Sequence, residues 1–185
     1  MKCFMTITRI ITILPVLGVF LVIVGCTSNY PESKDMNITT LETVLKNTFT
    51  AGPDDELTKL LTKRENATII GEDPEIKQPQ KPTELDLFLE EMYRTHFTEY
   101  MFHEYLTIYA TSFQPLGGER IKVESINIEQ LEDYENRYDF ITIVELQNKG
   151  KVFEIKGEAK FTEGGKISLF QLLTDSGLSD TLQLR

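Results

Sequence analysis

The chain has 185 residues and a formal charge of −10, from 29 acidic against 19 basic side chains. This length corresponds to one domain with a short appendage, and the acid excess argues against a nucleic-acid partner, because phosphate neutralisation needs clustered Lys and Arg. Two Cys rule out a disulfide scaffold or a Cys-rich zinc module, and two His leave little for a metal site, so neither cofactor nor metal is expected.

Lys2 and Arg9 are the only charges in residues 1–25, and Ile10 to Gly25 is almost wholly apolar. As a helix that run would span roughly 24 Å, short of the ~30 Å hydrocarbon core, and Pro15 and Gly18 weaken it further. A basic stretch, an apolar stretch and then small residues is the layout of an export signal. Ile23-Val24-Gly25-Cys26 resembles the lipobox of bacterial lipoproteins. The resemblance implies diacylglyceryl attachment to the Cys26 thiol and cleavage before it. The competing readings are an ordinary anchoring helix and a chance Cys.

Acyl chains contribute about 0.8 kcal/mol per buried methylene, so two or three of them hold a small domain on a bilayer. The membrane is then a partner through the lipid on Cys26, on the extracytoplasmic face. Cys3 falls in the discarded segment, which leaves no intramolecular disulfide. Removing Lys2 and Arg9 leaves 17 basic against 29 acidic side chains, a formal −12, so the body is expected to stand off an anionic surface. Residues 26–38 are polar and aperiodic, as in a flexible tether, with the folded domain at 39–185.

Thr39 or Thr40 is a plausible N-cap for a helix carrying Leu41, Val44, Leu45 and Phe49, stopped by Ala51-Gly52-Pro53. Asp54 or Asp55 can cap a short second helix with Leu57, Leu60 and Leu61 on its apolar side, and Ala67 to Ile70 reads as a lone short strand. Three prolines and many charges from Gly71 to Pro82 argue against regular structure. Thr83 with Asp86 forms a capping box ahead of the stripe Leu85, Phe88, Leu89 and Met92. A further helix is predicted from Glu99 to Phe113, capped by Thr98. Met101, Phe102, Tyr105, Leu106, Ile108 and Tyr109 cover an arc wide enough to be sandwiched.

From Arg120 the period becomes two. Ile121 and Val123 alternate, as do Ile126 and Ile128 with opposite parity, which predicts a bulge near Glu124-Ser125. Tyr138, Phe140, Thr142, Val144 and Leu146 form one strand face, and Phe153, Ile155, Gly157, Ala159 and Phe161 the next, joined by an Asn148-Lys149-Gly150 turn. After Glu163-Gly164-Gly165, the inner face of the last strand reads as Ile167, Leu169, Gln171 and Leu173. The class is α+β: N-terminal helices packed on a curved antiparallel four-strand meander.

This order, with the lone strand before the long helices, resembles the NTF2-like (cystatin-like) cone superfamily. Thr50 with Gly52-Pro53-Asp54, Gly165-Lys166-Ile167-Ser168 and Asp175-Ser176-Gly177-Leu178 look like those of small lipoproteins of Bacillus-type bacteria, over about residues 39–182. These are turn and core motifs, so the resemblance informs the fold and not an activity. It implies a Gram-positive membrane exterior, and it allows a homodimer through the sheets.

Catalytic signatures are missing: no GxSxG, no CxxC, and a broken phosphate loop at Gly165-Lys166. His96, Glu99 and His103 could share a helical face and suit zinc, but the break expected near Thr98 scatters them. Glu129, Glu132, Asp133 and Glu135 lack the spacing of a calcium loop. Seven aromatics crowd residues 93–113. Of these Tyr93, Phe97 and Tyr105, with Tyr138, Phe140 and Phe153, could line an apolar ligand pocket in the cone; a plain core built of rings is the competing reading. Gln171 and Thr142 are the polar residues on predicted inner faces, and neither is a good general base. Asp139, Glu145, Glu154 and Lys156 should meet solvent, while Ile141 and Ile143 on that same outer face suggest a partial cover. No catalytic residue is assigned. The expected function is a non-enzymatic module binding a protein or a small apolar ligand; the rivals are a small hydrolase or isomerase in the cone, or an interaction module using the outer sheet face.

Overall fold

The computed structural model describes residues 35–69, 81–115 and 118–183. All the elements belong to the unit Lys34–Arg185. The lipobox and Cys26, most of the tether and nearly all of the Gly71–Pro82 stretch lie outside the described residues.

Helix α1 spans Met36–Phe49 and buries Leu41, Val44, Leu45, Thr48 and Phe49. Its N-cap is Asp35, not Thr39 or Thr40: Oδ1 accepts from the Asn37 amide at 2.8 Å. The last residues of the predicted tether are therefore helical. The cap moves upstream because Asp35 is also held from outside, by the hydroxyl of Tyr138 at 2.6 Å. Beyond α1, Ala51 pairs with Ile121 through two backbone hydrogen bonds of 3.1 and 2.8 Å. Gly52 lies under Arg120, where a Cβ would come within 2.9 Å of the guanidinium, and that guanidinium reaches Asp54 at 3.0 Å.

Helix α2 runs Glu56–Ile69, which corrects two expectations. The helix is long, and Ala67–Ile69 belong to it instead of forming a strand; Ile70 is outside the described residues. No Gly or Pro interrupts residues 54–70, so nothing stops propagation. Three β-branched or small residues do not make a strand without a sheet edge to pair with.

Helix α3 spans Glu84–Tyr93 and opens on the capping box, with the Thr83 amide donating to Asp86 Oδ2 at 2.8 Å and the Asp86 amide to Thr83 Oγ1 at 3.2 Å. A 3-10 turn, Arg94–His96, follows, and Phe97–Thr98 crosses to the sheet, the Thr98 amide donating to the Ile167 carbonyl at 3.0 Å. Helix α4 runs Glu99–Ile108 with Thr98 as N-cap. It stops short of Phe113: the amides of both Tyr109 and Ala110 converge on the Tyr105 carbonyl, and the chain then turns so that Phe113 reaches Phe49, 4.8 Å between centroids. The wide apolar arc is buried on one side only. Met101, Phe102 and Tyr105 are covered, Leu106 and Tyr109 half-covered, and Ile108 is exposed.

Strands β1 (Ile121–Gln130), β2 (Arg137–Leu146), β3 (Lys151–Phe161) and β4 (Ile167–Thr174) form an antiparallel sheet in the order β1-β2-β3-β4. The predicted bulge is present, with Val123 opposite Val144 and Ser125 opposite Ile143, leaving Glu124 unpaired. The core faces of β2 and β3 are those read from the sequence; every one of their ten residues is buried. In β4 the reading fails. Phe161 pairs with Ile167 and Lys160 with Leu169, so Ser168 is an extra residue, and Leu173 is a second one. Each bulge shifts the parity. Ile167 and Phe170 face the core together, whereas Gln171 and Leu173 are exposed.

A short helix α5, Leu178–Gln183, closes the chain. Asp175 prepares it, accepting from the amides of Gly177 at 2.9 Å and Ser179 at 3.0 Å. The architecture is α+β, helices packed on one face of a curved, unclosed antiparallel sheet.

Candidate functional site

The six ring residues singled out from the sequence lie between the helices and the sheet, and all are at most 8% exposed. Phe97 packs on Tyr105 at 4.4 Å between centroids and Tyr93 on Tyr105 at 5.1 Å. Tyr105 meets Phe170 edge-on at 5.1 Å, and Phe140 stacks on Phe170 at 5.4 Å. The structure thus joins Tyr93, Phe97, Tyr105 and Phe140 into one layer through Phe170, which strict alternation from Ile167 would put on the opposite face. Tyr138 stands apart from this layer, edge-on to Phe161 at 5.3 Å, and Phe153 is buried opposite Val144.

The hydroxyl groups also turn inward. Tyr105 Oη bonds to Thr48 Oγ1, which itself donates to the Val44 carbonyl at 2.7 Å. Burial pushes the Tyr105 phenol well above its ordinary range, with neighbouring Tyr93 adding to the shift. Burial lifts Tyr93 to about 12; Thr48 is near enough to draw it back slightly but makes no well-formed hydrogen bond to it. Tyr138 Oη is occupied, donating to Asp35 and accepting from Asn37 Nδ2 at 3.1 Å. The rings pack on one another, and the polar ends of Tyr105 and Tyr138 are spent on α1 and its cap.

Chemistry between the helices and the sheet needs an acid or base there. The buried polar residues among those described are Thr48, Glu119 and Thr142. Glu119 lies just before β1 with Lys149 Nζ at 3.2 Å, and Thr142 Oγ1 has no hydrogen-bond partner. Gln171, expected inside, is outside because of the Ser168 bulge.

His103 Nε2 lies 3.1 Å from Glu99 Oε1, and Arg94 holds both oxygens of Glu99 at 3.1 and 2.9 Å while reaching Glu90 at 3.1 Å. His96 is in the preceding 3-10 turn, half-buried, and that burial lowers its pKa. The His96, Glu99 and His103 set is therefore split by the Phe97–Thr98 crossing. Among the described residues no three His, Cys, Asp or Glu are grouped to hold a metal ion. Glu132, Asp133 and Glu135 are in the β1–β2 turn, which is closed by backbone bonds from Leu131 to Arg137.

The outer face of the sheet is different in character. Ile141 and Ile143 are half-buried there, and Val152 and Leu173 are more than 60% exposed. A groove of about 210 Å³ crosses all four strands, lined by Asn127, Glu129, Asp139, Ile141, Lys156 and Leu173 among others. Gly157 is also in its lining, but the side-chain position of that glycine belongs to the inner face, where the Phe140 ring occupies the space. A larger cleft of about 670 Å³ lies between α2 and the segment after α4, walled by Thr58, Thr62, Arg64, Glu65, Thr111 and Gln114. Neither involves the ring layer beyond the edge of Phe140. Among the described residues no helix is long and apolar enough to cross a membrane.

In comparison with known proteins, no family model, no curated protein and no solved structure matches this chain.

Proposed function

We propose that the chain is an acyl-anchored extracytoplasmic lipoprotein whose NTF2-like domain is a non-enzymatic protein-binding module working through the outer face of its sheet. The lipobox residues Ile23-Val24-Gly25-Cys26 support the anchor. The observation that carries the binding role is the contrast between the two faces of one sheet. The inner face is packed with rings, whereas the outer face leaves Ile141, Ile143, Val152 and Leu173 in reach of solvent beside an open groove. Exposed apolar groups gathered on one face mark an interaction surface more often than scattered single ones do. Among the described residues the buried carboxylate, Glu119, is paired with Lys149 at 3.2 Å just before β1, which favours the binding module over the rival hydrolase or isomerase.

Two variants test the two halves. Cys26→Ser in the full chain is expected to shift the protein from the membrane to the soluble fraction and to abolish signal processing. Unchanged sedimentation and processing would remove the anchor. Ile141→Ser with Leu173→Ser, in the anchored protein, is expected to abolish reproducible cross-links to a partner made in intact cells. Persistence of the same cross-links would remove the outer face as the docking surface, and a ligand co-purifying in the cone would restore the pocket reading.

A further inference from the structure

The register of the sheet places Glu129 directly opposite Asp139, and Asp139 directly opposite Glu158. Three carboxylates on three adjacent strands therefore stand in one line on the outer face. Like charges directly opposite one another across a ladder oppose pairing. Neighbouring positions of the same face avoid this: Lys122 is opposite Glu145, and Ile141 opposite Lys156. Of the cations on this face, Lys156 is engaged with Glu154 at 2.9 Å and Arg137 lies over the Tyr134 ring at 5.1 Å, while Lys160, two residues past Glu158, stands opposite Arg137. Asn127 Nδ2 donates to Glu129 at 2.8 Å, and among the described residues neither Asp139 nor Glu158 has an ion-pair partner. Glu129 and Asp139 also form one wall of the four-strand groove, with Ile141 and Leu173 next to them.

We propose that this groove receives a basic segment of a partner protein, whose Lys or Arg side chains meet the Glu129–Asp139–Glu158 row while its apolar residues settle against Ile141 and Leu173. The inference rests on the outer face being the docking surface and specifies the chemistry of the occupant. Charge complementarity selects it: a row of uncompensated carboxylates beside apolar side chains fits a cationic, partly apolar chain. A second copy of this chain fits less well, since it brings an equally acidic face and, once residues 1–25 are removed, a formal charge of −12 of its own.

The test uses the full chain in nanodiscs of neutral phosphatidylcholine and a fluorescent 16-residue peptide alternating Lys with Val. A peptide with Glu in place of Lys is the control. The Lys peptide is expected to bind, and amide shifts are expected to map to β1–β4 around the groove. Glu129→Gln/Asp139→Asn/Glu158→Gln should weaken it about tenfold or more and flatten its salt dependence, as loss of close charge pairs does. Glu132→Gln/Asp133→Asn/Glu135→Gln removes the same charge from the turn and should change affinity less than about twofold, which separates a local site from diffuse attraction to an acidic protein. Equal losses in the two triple variants, or equal binding of the Glu peptide, would overturn the basic occupant. Loss of peptide in Ile141→Ser/Leu173→Ser alone, with the row variant unaffected, would keep the docking face and overturn only its charge selectivity. Shifts mapping away from the sheet would overturn both.

Discussion

Tyr138, the second residue of β2, donates its hydroxyl hydrogen to Asp35 Oδ2 at 2.6 Å, joining residues 103 apart in the chain. The other oxygen of Asp35 caps α1, so one carboxylate fixes both where the first helix begins and which end of the sheet it starts from. Removing the hydroxyl with Tyr138→Phe should cost about 1 kcal/mol, and Asp35→Ala, which also removes the cap, about 2 kcal/mol. Because both variants break the same bond, the double variant should cost less than the sum in urea unfolding. Strict additivity would mean that the bond contributes nothing.

Alkaline pH should unfold the domain through its buried phenols. Tyr93 is pushed up to about 12, Tyr105 well above its ordinary range, and Tyr138 upward, by burial in each case first. A raised folded pKa means that the unfolded chain releases its proton first, so stability is intact below about pH 10 and falls as pH climbs from there. Tyr93 alone accounts for up to about 2–3 kcal/mol between pH 10 and 12. Tyr93→Phe should flatten that part of the curve, read by denaturant midpoints at pH 9, 10 and 11. At neutral pH the same variant should be neutral or slightly stabilising, since its hydroxyl makes no well-formed hydrogen bond.

Thr142 is fully buried on the inner face of β2, and its Oγ1 has no partner. A desolvated hydroxyl without a hydrogen bond is a net cost, and Val has almost the same shape. Thr142→Val should raise stability by about 1 kcal/mol in the same assay. A loss of similar size would mean that the hydroxyl is satisfied after all.

Gly157 faces the core, where a Cβ would overlap both the Phe140 ring and the Gln171 carbonyl. Gly157→Ala should therefore destabilise by roughly 1–3 kcal/mol, as overpacking of a filled core does. Adding Phe140→Leu should recover only part of this, because the backbone carbonyl remains. Thermal melts of the single and double variants decide it.

Asp139 is opposed by a carboxylate on either side. Asp139→Asn should stabilise the domain by up to about 1 kcal/mol at low salt, and the gain should fade as salt screens the row. Midpoints at 20 mM and 500 mM salt give the comparison.

The parts of this fold that could be read from the chain are those settled by neighbours in sequence. The Thr83–Asp86 box is complete within four residues, and the bulge at Glu124 shows as a change of parity on either side of it. The inner faces of β2 and β3 alternate without interruption. Other positions depended on distant partners. In β4 the run Ile-Ser-Leu-Phe-Gln-Leu-Leu is apolar on both parities, so only pairing with β3 shows that Ser168 and Leu173 are extra residues and that Phe170, not Gln171, faces in. Residues 67–69 look like a strand by composition, but they stay in α2 because no breaker precedes them.

The ring residues mark the same boundary. Their clustering in residues 93–113 is visible in the sequence, and so is their share of a small core that lacks Trp. Whether they surround a cavity or one another is a matter of volume, and volume is set by how α1, α3 and α4 settle on the sheet. Local spacing, caps and alternation determined which segments are helix or strand and which β2 and β3 side chains point inward, because those forces act over a few residues. The start of α1, the register of β4, the closing of the ring layer and the alignment of Glu129, Asp139 and Glu158 were decided only by tertiary structure, because each requires residues far apart in the chain to meet.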